Sequence, residues 1–198
     1  EEQGWLLEAL SASRNTEMTL IHLFGLLIGA RIQTILTFRV RHTMLDIDEI
    51  SDNVIRFPVG FGMGVDTKDD KQIVLHIPIK FYRTLITYVN SPRARGRRLR
   101  ANGGDNIDQY LFLSVRGAPL YRSKSDSREF DSEATLRYQK TGQGVRQFIT
   151  ERIRPHVRRN HAADFYYRFH NTRAPYGMNV THLQLQRLAS REITLLEA

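Results

Sequence analysis

The sequence predicts a mostly α-helical α+β domain carrying a small three-stranded antiparallel sheet. The 198 residues are 41% hydrophobic and 25% charged, the balance of one globular domain, 1–198, with enough apolar surface for a core. One stretch, residues 20–30, is apolar almost all round, as in a buried helix. Three short runs rich in β-branched and aromatic residues, 38–45, 54–59 and 72–77, follow it, separated by polar or glycine-containing connectors.

In chain order, residues 4–13 place Trp5, Leu6, Ala9 and Leu10 on one helical face. Asn15 or Thr16 caps a second helix, with Glu17 in its first turn, where a carboxylate complements the helix dipole. Gly29 interrupts that helix, and Arg31, Ile32, Ile35 and Leu36 begin a new helical turn. Pro78 ends the last strand, and Phe81, Leu85, Ile86 and Val89 mark a helix that stops before Ser91-Pro92. Residues 91–104 hold five arginines and three glycines, which predicts a mobile basic loop. A short apolar run, 110–115, precedes a polar, poorly periodic segment, 122–141. Val145, Phe148, Ile149 and Ile153 then mark a helix running to about His156, bordered by Arg146, Arg152, Arg154, Arg158 and Arg159. Residues 165–178 and 183–196 complete a mostly helical second half.

Composition narrows the function. Cysteine is absent, which excludes disulfide frameworks, thiolate metal centres and a cysteine nucleophile, and a reducing, cytoplasmic compartment is expected. The formal net charge of +8 and a pI near 10.0 point to a polyanionic partner, with nucleic acid ahead of a membrane surface. Glu1, Glu2, Glu8 and Glu17 outnumber Arg14 in the first thirty residues, so the basic excess lies downstream. The apolar run is broken by His22 and falls short of the ~20 residues that span a bilayer, so no membrane partner is expected. The chain opens Glu-Glu, in mid-helix pattern, and is expected to be a fragment of a longer protein.

Four residues carry the candidate chemistry. Arg31 directly follows the most apolar helix, Lys68 lies at the tip between two predicted strands, and His170 and Arg173 stand three apart, on one helical face. Two arginines, a lysine and a histidine suit a phosphodiester, because guanidinium forks neutralise the non-bridging oxygens while lysine or histidine handles protons.

In this order and with these neighbours, the chain resembles the catalytic domain of the tyrosine recombinases, the phage-integrase family. The stretches are Leu27-Ile28-Gly29-Ala30-Arg31 with Ile35-Leu36, Thr67-Lys68 running into Ile73-Val74-Leu75-His76-Ile77-Pro78, Leu111-Phe112-Leu113-Ser114, and His170-x-x-Arg173-x-x-x-Gly177. The resemblance implies a tyrosine-recombinase-like fold and DNA strand cleavage and rejoining through a 3′-phosphotyrosine intermediate, without metal or organic cofactor. It casts Arg31 and Arg173 as the arginines that stabilise a phosphorane-like transition state, Lys68 as the proton donor to the leaving 5′ oxygen, with Lys71 the alternative, and His170 as an aid to proton transfer. The implied partner is double-stranded DNA at a recombination site, bound by a homotetramer that is monomeric when free. Lys140 and Arg146 are the expected phosphate contacts.

Departures from the family pattern are equally concrete. Thr34 stands where a glutamate is common, and Thr172 replaces the leucine between histidine and arginine. The Leu-Gly-His motif and the nucleophilic tyrosine lie farther along in the family than the 25 residues that follow Arg173 here. This chain is therefore expected to lack the nucleophile, as well as the amino-terminal DNA-clamping domain. A type IB topoisomerase-like enzyme and a DNA-binding module without catalysis are the alternatives, with RNA binding ranked below them for want of an aromatic platform motif. The seven histidines contain no His-x-x-x-His pair, which leaves no dedicated metal site in the pattern. Gly60, Gly62 and Gly64 read as a hairpin connector, since no helix follows them.

Overall fold

The structure, a computed structural model, describes residues 1–47, 50, 52–129 and 141–173, except the side chains of 127–129 and 173. About 53% of these residues are helical, and the only sheet among them is a two-stranded antiparallel pair, which gives an α+β architecture.

Helix α1 (Glu2–Ser13) packs its buried Leu6, Leu7 and Leu10 against the rest of the core. Helix α2 (Thr16–Ile28) starts at Asn15, whose side chain accepts the Met18 N–H at 3.2 Å, and ends at Gly29 in the left-handed conformation, with the Gly29 N–H on the Gly25 carbonyl. Leu20, Ile21, Leu23 and Phe24 are fully buried, so α2 is the central helix. Burying four such side chains removes enough apolar surface to stabilise the fold by roughly 6–12 kcal/mol before conformational entropy is counted. Arg31 then occupies the N-cap position of the short helix α3 (Ile32–Leu36).

Strands β1 (Val54–Val59) and β2 (Ile73–Pro78) pair from Val54↔Pro78 to Val59↔Ile73. Ile55, Phe57 and Val59 on β1 and Leu75 and Ile77 on β2 face inward, the period of two expected for a sheet with one buried face. The expected third strand, 38–45, is corrected. Its start makes only an isolated bridge, Arg39↔Tyr110, and the Arg39 N–H then donates to His42 Nδ1 at 2.9 Å, closing a 3₁₀ turn over Val40–Thr43. A β-rich composition was overridden there by a side chain that captures the backbone donor a strand would need.

Helix α4 (Ile79–Asn90) follows Pro78 and buries Phe81, Tyr82, Leu85 and Tyr88. The expected mobile loop after it is a second correction: Ser91 caps helix α5 (Pro92–Leu99), with proline at the first helical position. Its arginines have acceptors inside the fold. Arg93 and Arg97 bind the buried Glu17 carboxylate, and Arg98 binds Asp105 and the Val89 carbonyl. Helix α6 (Lys124–Glu129) lies in the polar segment. Helix α7 (Gln143–Phe148), a π-turn (Ile149–Ile153) and helix α8 (Arg154–Asn160) form one continuous rod, and a 3₁₀ turn over Phe169–Arg173 packs on α2. No helix among the described residues is long and apolar enough to cross a membrane.

Candidate phosphate site

Three segments remote in sequence meet at one cleft of about 530 Å³. Arg31, Ile32 and Gln33 come from the start of α3; Arg146, Ile149, Thr150 and Arg154 from the α7–α8 rod; Arg168 from just before the 3₁₀ turn, and Phe169 and His170 from the turn itself. Four arginines and a histidine line it, and among the described residues no aspartate or glutamate does. Cations crowded together without carboxylates repel one another, so such a cleft attracts an anion. Ile32, Ile149 and Phe169 supply its apolar surface.

Each wall has a local cause. The left-handed Gly29 turns the chain sharply off α2, and Arg31 follows in extended conformation, exposed, with its carbonyl accepting the Ile35 N–H at 3.0 Å. The rod is held against α3 by Gly142, at φ 76°, where a Cβ would lie 3.0 Å from Ile32 Cδ1; a side chain there would push α7, and Arg146 with it, away from Arg31. His170 is set by its neighbours. Phe169 and Thr172 are buried against α2, where Gly25 admits them: a Cβ on Gly25 would lie 2.9 Å from both Phe169 Cζ and Thr172 Oγ1. The Phe169 ring also meets the fully buried His22 edge-on, with centroids 5.2 Å apart.

Lys68 does not line the cleft. It lies in a 3₁₀ turn (Lys68–Asp70) at the hairpin tip, 61% exposed, with Nζ 3.9 Å from Asp69 Oδ2. The tip is nevertheless moored to the cleft wall: Gln33 Nε2 donates to the Thr67 carbonyl at 2.9 Å, and the Asp66 N–H donates to Thr37 Oγ1 at 2.9 Å. Lys124 holds the other side, its N–H on Asp66 Oδ2 and its ammonium on Asp70 Oδ1. Burial raises the Asp66 carboxyl above its usual pKa. The 3₁₀ turn over Phe169–Arg173 carries His170, which is exposed. The Arg173 side chain and Lys140 lie outside the described residues.

Sequence reasoning missed Gln33, Arg154 and Arg168 as parts of this wall. Arg154 was legible as a basic residue on a predicted helix, and Arg168 stands two residues before His170; neither spacing says which face meets α3. Comparison with protein-family models, curated proteins and solved structures finds no match.

Proposed function

We propose that this chain is the catalytic domain of a site-specific DNA recombinase of the tyrosine type, and that the cleft holds the scissile phosphodiester of duplex DNA. The observation that carries the reading is the meeting of Arg31 and His170, remote in sequence, on one concavity that Arg146 also lines and that no carboxylate lines among the described residues.

In this reading a tyrosine hydroxyl attacks the phosphorus, the P–O bond to the 5′ oxygen breaks, and a 3′-phosphotyrosyl link forms. Arg31 and Arg173 bind the non-bridging oxygens, whose charge grows in the transition state. His170 exchanges a proton beside the same phosphate, and Lys68 protonates the departing 5′ oxygen after the hairpin tip swings onto the DNA. The 5′ hydroxyl freed on a partner strand then attacks the phosphotyrosyl phosphorus, the bond to the tyrosine oxygen breaks and the tyrosine regains its proton, which completes exchange within a tetramer on a Holliday junction. Lys140 and Arg146 hold flanking phosphates.

The experiment uses the full-length protein with duplex DNA. A denaturation-resistant protein–DNA adduct is expected, and Arg31→Ala should lower its rate about 100- to 1000-fold, the cost of losing one oxyanion donor, while binding weakens far less. An adduct formed at an undiminished rate by Arg31→Ala would overturn the reading. Exchange between two recognition sites separates a recombinase from a topoisomerase-like enzyme, which relaxes supercoils and exchanges nothing.

A further inference from the structure

The rod that forms one wall of the cleft is not a regular helix. Pro155 has no N–H to donate to the Glu151 carbonyl, and its ring crowds that oxygen. The strain is absorbed one turn earlier, where the Arg154 N–H reaches the Ile149 carbonyl, five residues back, and residues Ile149–Ile153 widen into a π-turn. In an uninterrupted α-helix, side chains at 146 and 154 would point about 80° apart. The extra residue in the wide turn takes up about 100°, which brings the two directions within about 20° of each other. Arg146 and Arg154 accordingly face the same cleft, about 11 Å apart along the axis.

The Arg154 end is a separate assembly. Arg154 donates through Nε and Nη2 to the Tyr167 carbonyl at 3.0 and 2.9 Å, and its guanidinium lies 4.3 Å from the Tyr166 ring centroid. Arg168 lies 5.1 Å from the same ring and donates Nε–H to Tyr166 Oη. That hydrogen bond, with both guanidinium charges close by, holds the Tyr166 phenol below its usual pKa. Both arginines are thus oriented by neutral groups, and among the described residues no carboxylate pairs with either. Two held, uncompensated guanidiniums have N–H groups left for an anion.

We propose that Arg154 and Arg168, braced on Tyr166, form a second phosphate subsite, which takes a neighbouring phosphate of the DNA strand whose scissile phosphate lies at Arg31 and His170. The π-turn is the device that aligns it. This rests on the DNA reading above, and it makes the cleft a track for one strand of the duplex.

The test is the salt dependence of affinity for a labelled mixed-sequence duplex, measured for the wild-type chain, Arg31→Ala, Arg168→Ala and Arg154→Ala. Each phosphate contact contributes about 0.9 to the slope of log affinity against log salt. Arg168→Ala and Arg154→Ala should each make the slope shallower by up to that amount, and Arg31→Ala by a similar amount. Arg168 is exposed and its side chain contacts Tyr166, so Arg168→Ala keeps the test intact should Arg154→Ala disturb folding. A wild-type slope in Arg168→Ala beside a shallower one in Arg31→Ala overturns the second subsite alone. A wild-type slope in both overturns the cleft as a DNA site, and the subsite with it.

Discussion

Gln33 Nε2 donates a 2.9 Å hydrogen bond to the carbonyl of Thr67, joining the residue two after Arg31 to the residue before Lys68. One bond therefore links the wall that presents an arginine to the hairpin tip that presents a lysine. Gln33→Ala should release the tip. Amide exchange across residues 66–71 should accelerate, while global stability falls by only about 1 kcal/mol, the net worth of one such bond. Unchanged exchange there would mean that Thr37 and Lys124 suffice to hold the tip.

Gly25→Ala sets two effects against each other. Alanine in the middle of a helix is favoured over glycine by about 1 kcal/mol. Here the added methyl would sit 2.9 Å from Phe169 Cζ and Thr172 Oγ1, so the turn that carries His170 must move off α2. The clash should win, with a net loss of about 1–3 kcal/mol in urea unfolding and weaker DNA binding. Stabilisation by Gly25→Ala would contradict the close packing of α2 on that turn.

Glu17 is 1% exposed and accepts from Arg93 Nε and Nη2 at 2.7 and 2.8 Å and from Arg97 Nη2 at 2.7 Å. Glu17→Ala strands the buried Arg97 guanidinium and should cost about 3–5 kcal/mol. Replacing Glu17 and Arg97 together by apolar residues of similar volume should recover much of that loss, which chemical denaturation of both variants measures.

Burial lowers the pKa of His22 to about 4, against the opposing hydrogen bond to the Met18 carbonyl; burial, followed by the Arg41 charge, lowers His42 to about 4. Unfolded histidines titrate near 6.5, so between pH 6.5 and 4 the unfolded chain binds protons that the folded one refuses. Stability should be fully present above about pH 6.5 and fall as pH drops through that window. The slope approaches about 1.4 kcal/mol per pH unit for each histidine. His22→Leu should shed one histidine's share; a slope identical to wild type would show that His22 is not buried in its neutral form.

Helices α2 and α4 were legible because their signals are local, whereas residues 165–168, expected to be helical, are not. Asn15 and Gly29 bracket α2, and Pro78 and Ser91-Pro92 bracket α4. The lost strand and the misread loop depended on distant partners. His42 captures the Arg39 N–H, and Glu17 and Asp105 recruit the arginines of α5; composition alone made one run look extended and the other mobile. At the cleft, Arg31 and His170 could be singled out by residue type and spacing, and Arg146 only through the family resemblance. Arg154 and Arg168 could not, because their place depends on the π-turn at Pro155 and on the Tyr166 ring between them.

The proposed function requires that the cleft, rather than the general basic charge of the chain, hold a DNA phosphate. The most direct measurement is the affinity for labelled duplex DNA across a salt series, for the wild-type chain, Arg31→Ala and Lys80→Ala, which removes an equal charge from an exposed position on α4 outside the cleft. A steep log–log decline is expected for the wild-type chain, a slope shallower by about one for Arg31→Ala, and a wild-type slope for Lys80→Ala. Affinity indifferent to salt, or slopes lowered equally by both substitutions, would contradict the proposed function.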